Sequence, residues 1–555
     1  VIMTGARAIV EILKQEGITH VFGVPGESFT PLLDALYDET SIRFITTRHE
    51  GGASFMAEAY GKVTGTVGVV LGARAVGGAN LSIGVHTARE NSTPLVVLLG
   101  QVKSRFRGRE GFQEVDLTRF FGDICKWAVE VHDVERIPEF VQRAFRVAKS
   151  GRPGPVVLSL PEDVLAQAAD LRLRPASARP CPRPSQAEIA AFYQLLRDAR
   201  RPLIIAGAGV NLADAESSLQ RFAEKWQIPV IAAWRRHDVF PNNHPLYVGH
   251  LQMGTFSAIV DTVRQADTII AIGTRFSEIT TQGYALLSPA QKLIHIDIEY
   301  AMLGKVYAPD LGIVADANEA LLALLADEEL PKPANIDKQW VQERRRVYEQ
   351  WTTIAEANNT ASVDQKQIIR TMQQMLPADA IITNDAGNFA GWLHSFYQFK
   401  QKKTYVGAAS GAMGYALPAA LGAKLGRPDR TVVALAGDGG FMMTVQELET
   451  AVRYHIPVVS LIFNNNMYGS IRMHQEKAHP YRVIGSELGN PDFQRLGESF
   501  GVFSATVTAD AQFADVFRAA LDAQKPAIIE IVCDPEQISV QQTITSIRNA
   551  SSKQE

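Results

Sequence analysis

Cysteine is scarce in this chain. Cys125, Cys181 and Cys533 are the only three in 555 residues, too far apart to suggest a disulfide framework or a cysteine metal cluster. A reducing, cytoplasmic setting is the expectation that follows. A surplus of charge is missing too: the formal net charge is -4 at pH 7, with no excess of Lys and Arg for a nucleic-acid backbone or an anionic membrane surface. Long bulky apolar runs are also absent. The longest uncharged stretch, Thr404 to Ala423, holds many glycines, Pro418, Ser410 and two tyrosines, so a tightly packed loop leading into a helix is expected there, not a membrane span. Val1 to Thr4 lack the basic-then-apolar layout of a signal peptide, and the chain is expected to start at its fold.

What remains is an ordinary globular composition, 46% apolar and 21% charged. At roughly 150 residues per domain the length suggests three or four domains. Short apolar runs alternate with helical patterns throughout, which predicts parallel sheets with helices on both faces. Strands are predicted at Val21 to Gly23, Arg43 to Thr46, Val67 to Leu71, Leu95 to Gly100 and Val156 to Leu160. A second set is predicted at Pro202 to Gly207, Pro229 to Ala233, Thr268 to Gly273 and Lys292 to Ile298. A third is predicted at Ala380 to Thr383, Thr431 to Ala436, Pro457 to Phe463 and Ala527 to Val532. The fold class is therefore α/β, with three doubly wound parallel-sheet domains that look like one architecture used three times. Their expected bounds are 1–170, 187–330 and 361–537, joined by linkers at 171–186 and 331–360 and followed by a tail at 538–555.

The segment Thr431 to Gln475 carries the most chemistry. A buried strand, a Gly437-Asp438-Gly439-Gly440 turn, a helix and a second strand ending in Asn464-Asn465-Asn466 form a strand–helix–strand unit. Its right-handed crossover sets Asp438 and Asn465 side by side at the carboxyl edge of a sheet. One carboxylate and one amide oxygen suit Mg2+ holding a diphosphate, and Gly439 and Gly440 offer amide donors to the same anion. Either motif alone is usually a turn.

Together, Gly-Asp-Gly and an Asn-Asn pair whose second Asn lies 27 positions after the Asp resemble the signature of thiamine-diphosphate enzymes. The resemblance implies that Asp438, Asn465 and the carbonyl of Met467 hold the metal. It implies that Glu50, in Thr47-Arg48-His49-Glu50-Gly51-Gly52-Ala53, protonates the cofactor's aminopyrimidine so that its imino group can take the thiazolium proton. Gly411-Ala412-Met413-Gly414 resembles the segment whose bulky side chain, here Met413, bends the cofactor, with the Gly411 carbonyl as a pyrimidine acceptor. By the same resemblance Gly387 and Asn388 touch the diphosphate, and Pro25, Asn80, Gly437, Tyr468, Gly469 and Ser470 complete the cofactor site. Val21 to Gly26, Phe112-Gln113-Glu114, Gly151 to Pro155, Gly273 to Phe276 and His295 to Ile298 match, in order, segments of the acetolactate synthase branch. That branch implies pyrimidine-binding, central and diphosphate-binding domains, and an active site shared between subunits of a homodimer or homotetramer.

Departures cluster where the substrate is chosen. Glu162 stands where the branch has a channel lysine, and His474 aligns with its substrate-selecting tryptophan. Glu27 resembles the acidic residue of pyruvate decarboxylases, and Ala75-Val76-Gly77-Gly78-Ala79-Asn80 replaces a Gly-Pro-Gly-Ala-Thr-Asn loop. Glu27 and His474 are expected to handle protons on the adduct, with Gln113 donating a hydrogen bond to it. In the central domain, Gly207-Ala208-Gly209-Val210 fails the dinucleotide fingerprint because Leu212 replaces the third glycine. Arg152 and Arg275 match arginines that contact FAD, which leaves FAD, ADP or an empty cleft open. The expected reaction is decarboxylation of a 2-ketoacid and ligation to a second carbonyl. A simple 2-ketoacid decarboxylase or 2-hydroxyacyl-CoA lyase is the alternative, with an aldehyde or acyl-CoA as substrate, and a non-catalytic nucleotide-binding scaffold is the rival from another class.

Overall fold

A computed structural model describes residues 1–176, 178–326 and 333–551. The boundary expected at 330/331 and the end of the expected tail, 552–555, lie outside the described residues. Three six-stranded, all-parallel sheets follow one another along the chain. The first runs, edge to edge, Arg43–Thr46, His20–Gly23, Gly68–Ala73, Leu95–Gln101, Pro155–Pro161 and Trp127–Glu130. The second runs Tyr247–His250, Val230–Ala232, Pro202–Ala206, Thr268–Ile272, Lys292–Asp297 and Leu311–Val314. The third runs Tyr405–Gly407, Ile381–Asn384, Val432–Gly437, Val459–Asn464, Ala527–Val532 and Phe503–Val507.

Counted within each domain, the first and third sheets share the strand order 2-1-3-4-6-5, while the second has the order 3-2-1-4-5-6. The expected architecture recurs in all three domains, with one difference in topology: the first and third share a strand order and the central one departs from it. Both orders reverse direction at a switch point, next to the first strand, and crevices for ligands form outside the carboxyl ends of the strands there.

The first and third domains share one hydrophobic core. Helix Glu50–Thr64 is buried along most of its length and lies against helix Ala416–Gly426 of the third domain. Small residues allow the approach: a Cβ at Gly422 would stand 2.2 Å from the Met56 carbonyl oxygen, so a side chain there would force the helices apart. The Glu58 carboxylate, fully buried, accepts hydrogen bonds from Asn91 Nδ2, Thr93 Oγ1 and, across the junction, Tyr415 OH. Asn91 also reaches both other domains, its Oδ1 accepting from Ala409 N and its carbonyl from Arg236 Nη2.

The stretch expected as a second linker holds helix Lys338–Thr352, whose Trp340 and Tyr348 are buried in the central core. Its apolar face gains more by packing than by remaining in solvent. The expected tail likewise contains a docked helix, Ile544–Ser551.

Candidate active site

At the switch point of the third sheet, between Ile381–Asn384 and Val432–Gly437, a cavity of about 250 Å3 opens at the carboxyl ends of the strands. All the third-domain cofactor and metal candidates line it: Gly387 and Asn388, Gly411 and Met413, Gly437 to Gly440, Asn465, and Met467 to Ser470. Strands Val432–Gly437 and Val459–Asn464 are direct neighbours, with Gly437 opposite Phe463, which brings Asp438 and Asn465 to one edge. Asp438 to Gly440 form the first turn of helix Asp438–Thr444, where a turn was expected. The amides at such a helix start lack intrahelical acceptors, so the strand can pass straight into helix and leave donors facing the cavity.

Asp438 is 2% exposed, and burial pushes its carboxyl above the ordinary value against the opposing hydrogen bond from Asn490. Asn490 Nδ2 donates to Asp438 Oδ2 at 2.7 Å, to Asn464 Oδ1 at 3.2 Å and to Asn466 Oδ1 at 3.0 Å. Three oxygens thus converge on one amide. A buried carboxylate, the Asn465 amide oxygen and a main-chain carbonyl at Met467 form a hard, all-oxygen donor set that fits Mg2+ completed by phosphate oxygens. Among the described residues no cluster of three or more His, Cys, Asp or Glu offers a competing metal site.

Asp385, buried at the end of the first strand, accepts from Ala386 N at 3.0 Å, Gly414 N at 2.9 Å and Tyr415 N at 3.3 Å. It ties the Gly387 loop to the loop that presents Met413, and burial pushes its carboxyl up to about 7. On the other wall, Asn388 Oδ1 accepts from Ser470 Oγ at 2.9 Å and Asn388 Nδ2 donates to the Ile538 carbonyl at 2.9 Å. Gln537 and Ile538 line the cavity. Ile538, Ile544 and Ile547 pack beside Met467 and Met473, and Arg548 donates twice to Glu476 on helix Gly469–Ala478. The hydrogen bonds from Arg548 lead the effects that hold the Glu476 carboxyl down to about 2. The C-terminal segment is therefore a cover built onto the cavity wall.

The first-domain candidates gather at the equivalent switch point, between His20–Gly23 and Gly68–Ala73. Glu50 opens helix Glu50–Thr64, capped by His49, whose Nδ1 accepts from Gly51 N at 3.0 Å. Asn80 Nδ2 donates to Glu50 Oε2 at 2.8 Å. The loop expected at Ala75 to Asn80 is instead the start of helix Arg74–Asn91. Val76 stands in the first turn of that helix, where main-chain amides lack intrahelical acceptors. Arg74, missed from the sequence, is 7% exposed with φ 49° and donates to Glu27 Oε1 at 2.7 Å and to the Phe112 carbonyl at 3.5 Å. Ala75 N donates to the Gln113 carbonyl at 3.2 Å. Glu27 is thus an ion-paired carboxylate, drawn toward the Phe112-Gln113 turn, with Pro25 exposed just before it.

None of Pro25, Glu27, Glu50, Asn80 or Gln113 lines the third-domain cavity of its own chain, and His474 is exposed on helix Gly469–Ala478 outside the cavity lining. Within one chain, the first-domain candidates stand apart from the third-domain cavity lining.

At the central switch point the crevice is nearly shut. Gly209 N donates to the Gly273 carbonyl at 3.0 Å, and a Cβ at Gly209 would stand 2.6 Å from Gly273 Cα. The remaining cavity, lined by Trp234, Thr274 and Arg275 among others, is small, about 30 Å3. Arg275 Nη2 donates to the Glu90 carbonyl at 2.6 Å, and Arg152 to Ser92 Oγ at 2.8 Å and the Arg89 carbonyl at 2.5 Å. Both arginines serve the C-terminal end of helix Arg74–Asn91, where basic side chains satisfy the last carbonyls.

Comparison with known proteins accords with this layout. Residues 3–120 match the thiamine pyrophosphate enzyme N-terminal TPP binding domain, 189–324 the central domain and 385–531 the C-terminal TPP binding domain. The chain is 34% identical over 548 residues to a probable acetolactate synthase large subunit of Methanocaldococcus jannaschii, covering 96% of this chain and 92% of that one. It is 34% identical over 543 residues to the acetolactate synthase large subunit of Corynebacterium glutamicum, covering 96% and 87%. It is 34% identical over 514 residues to the acetolactate synthase isozyme 3 large subunit of Escherichia coli, covering 90% and 89%. Three α/β domains in this order, a cavity edged by Asp438 and Asn465, and relatives matched along nearly their whole length place the chain in the thiamine pyrophosphate enzyme family, among relatives of the acetolactate synthase large subunits.

Proposed function

We propose that this enzyme decarboxylates a 2-ketoacid and ligates the acyl unit to a second carbonyl, in the manner of an acetolactate synthase, with thiamine diphosphate anchored through Mg2+. The observation that carries the reading is the convergence of the Gly437–Gly440 and Asn465–Ser470 segments on one cavity beside Met413. Asp438, Asn465 and the Met467 carbonyl hold the metal. Gly387, Asn388, Gly437, Gly439, Gly440, Tyr468, Gly469 and Ser470 receive the diphosphate. Gly411, Met413, Pro25 and Asn80 position the pyrimidine. The cofactor, when bound, supplies an electron sink for the carbanion left by decarboxylation. Glu50 exchanges a proton with the pyrimidine, and Asn80, bonded to Glu50 Oε2, fixes its orientation. Arg74 pairs with Glu27 beside Gln113, and Glu27 and Gln113, with His474, act on the substrate side.

Because Glu50 and the cavity belong to separate half-sites, we read the active enzyme as a homodimer or homotetramer in which Glu50 of one chain faces the diphosphate cavity of another. Exposed apolar side chains on both half-sites, including Val76, Ile83, Phe112, Met442, Met443 and Ile471, supply a surface for that association. Cys125 and Cys533 are buried and unpaired and Cys181 is exposed, which suits a reducing, cytoplasmic setting. Among the described residues no helix is long and apolar enough to cross a membrane. Incubation with pyruvate, thiamine diphosphate and Mg2+ is expected to give acetolactate. Acetaldehyde as sole product, or turnover only with a 2-hydroxyacyl-CoA, would replace carboligation by simple decarboxylation or lyase chemistry.

A further inference from the structure

Glu447 is fully buried, yet it belongs to neither half-site. It opens helix Glu447–Arg453, which follows helix Asp438–Thr444 after Val445 and Gln446. Its carboxylate crosses to the first domain and accepts the main-chain amides of Arg48 at 3.3 Å and His49 at 3.1 Å, the two residues immediately before Glu50. Thr450 Oγ1 donates to the same carboxylate at 2.6 Å and fixes its rotation. Gly52 makes room for it: a Cβ there would stand 2.5 Å from Glu447 Oε1 and 2.7 Å from its carboxyl carbon. At the far end of the same helix, Tyr454 OH accepts from Thr46 N at 2.9 Å. One short helix therefore grips the strand leading to Glu50 and the turn that presents it.

Amides just before a helix start need acceptors from outside the helix. A buried carboxylate is a costly choice of acceptor unless its charge is used, because desolvation penalises the ionised form. Consistent with that penalty, burial pushes the Glu447 carboxyl above its ordinary value, opposed by hydrogen bonds from Thr450, Arg48 and His49. An ordinary packing contact between the domains would need no charge.

We propose that Glu447 is a positioning residue: it sets the backbone from which Glu50 projects and links it mechanically, through one chain, to the Asp438 helix. This rests on the reading of Glu50 given above.

The test compares Glu447→Gln and Gly52→Ala in the full-length protein, with Glu50→Gln as the control. Glutamine keeps the shape but turns an amide donor toward one of the two main-chain donors, while the added methyl displaces the carboxylate from the opposite side. In the cofactor-free protein, hydrogen exchange at the Arg48 and His49 amides is expected to rise about ten-fold or more in both variants, with the remaining protection unchanged. With thiamine diphosphate and Mg2+ bound, exchange of the cofactor's C2 proton and kcat are expected to fall together by about ten- to a hundred-fold, with KM and cofactor affinity nearly unchanged. Protection lost throughout both domains, or C2-proton exchange at the parent rate once Arg48 and His49 are loosened, would overturn the positioning role. Should Glu50→Gln itself exchange C2 at the parent rate, the reading of Glu50 fails, which the Arg48 and His49 exchange data distinguish from failure at Glu447.

Discussion

His237 offers a quantitative test of how the central and third domains are held together. It lies in the central domain, 1% exposed, with both ring nitrogens lacking a hydrogen-bond partner. Its ring stacks on His394 of the third domain at 4.4 Å and 18°, and meets His250 at 4.4 Å and Tyr405 at 4.6 Å edge-on. Arg235 adds its guanidinium nearby, donating to Tyr405 OH at 2.8 Å. Burial is the first cause that keeps all three histidines neutral: His250 is pushed down to about 4, and His237 and His394 well below the usual imidazole value. The unfolded chain binds a proton at each near pH 6.5, whereas the folded chain does not, so unfolding takes up protons and stability falls as pH drops below that value. Each histidine contributes a slope of about 1.4 kcal/mol per pH unit, or about 2 kcal/mol between pH 6.5 and pH 5.

The total slope does not isolate this effect. Asp385 and Glu216, pushed up to about 7, and Asp297, pushed up to about 6, are all raised chiefly by burial and hold protons in the folded state, so they oppose it on acidification. The difference between variants isolates it. His237→Phe removes one neutral-to-charged transition and keeps a ring in the stack, so the stability lost between about pH 6.5 and pH 5 is expected to be smaller than in the parent by about 2 kcal/mol. Urea unfolding at both pH values, followed by fluorescence of the central-domain tryptophans, measures it. Identical pH dependence in the two proteins would refute a neutral His237 in the folded state, whatever the absolute cost of fitting the larger ring.

Glu27→Gln and His474→Ala are each expected to lower kcat about a hundred-fold with the fold intact, as loss of a proton-handling group does; normal turnover in both removes them from the substrate side. Ile547→Asp places a charge in the cluster formed with Ile538 and Ile544, and is expected to release the C-terminal cover and speed cofactor dissociation in stopped-flow displacement while the thermal unfolding of the domains stays unchanged. An unchanged dissociation rate would mean that the cover does not retain the cofactor. The purified protein is expected to be colourless, because Gly209 closes on Gly273 at the crevice and Arg152 and Arg275 are bonded to the end of helix Arg74–Asn91; a flavin absorbance spectrum would contradict the closed crevice.

Much of this was readable along the chain because it is local. The strand, Gly-Asp-Gly, helix, strand and Asn-Asn succession fixes Asp438 and Asn465 by spacing and crossover handedness alone, and the structure sets their strands as neighbours. All the predicted strands but Arg43–Thr46 lie inside their sheets, where both faces are apolar. Five of the six edge strands escaped notice. Trp127–Glu130, Leu311–Val314 and Phe503–Val507 are half-exposed, which dilutes the apolar run, and Tyr247–His250 and Tyr405–Gly407 are too short for periodicity to register. Residues that act across long separations were also hidden. Nothing near Asp438 in sequence points to Asn490, and the pairing of Arg74 with Glu27 and of Glu447 with the His49 amide exists only once sheet order and domain packing bring them together.

The most direct test of a site completed by two chains is complementation. Glu50→Gln and Asp438→Ala should each be inactive alone. In a mixed dimer one site combines the intact Glu50 of one chain with the intact Asp438 of the other, so dissociation and random remixing of equal amounts is expected to restore about a quarter of the parent activity. Persistent inactivity, with mixed dimers demonstrated by native mass spectrometry, would contradict the shared site and place both residues' functions within one chain.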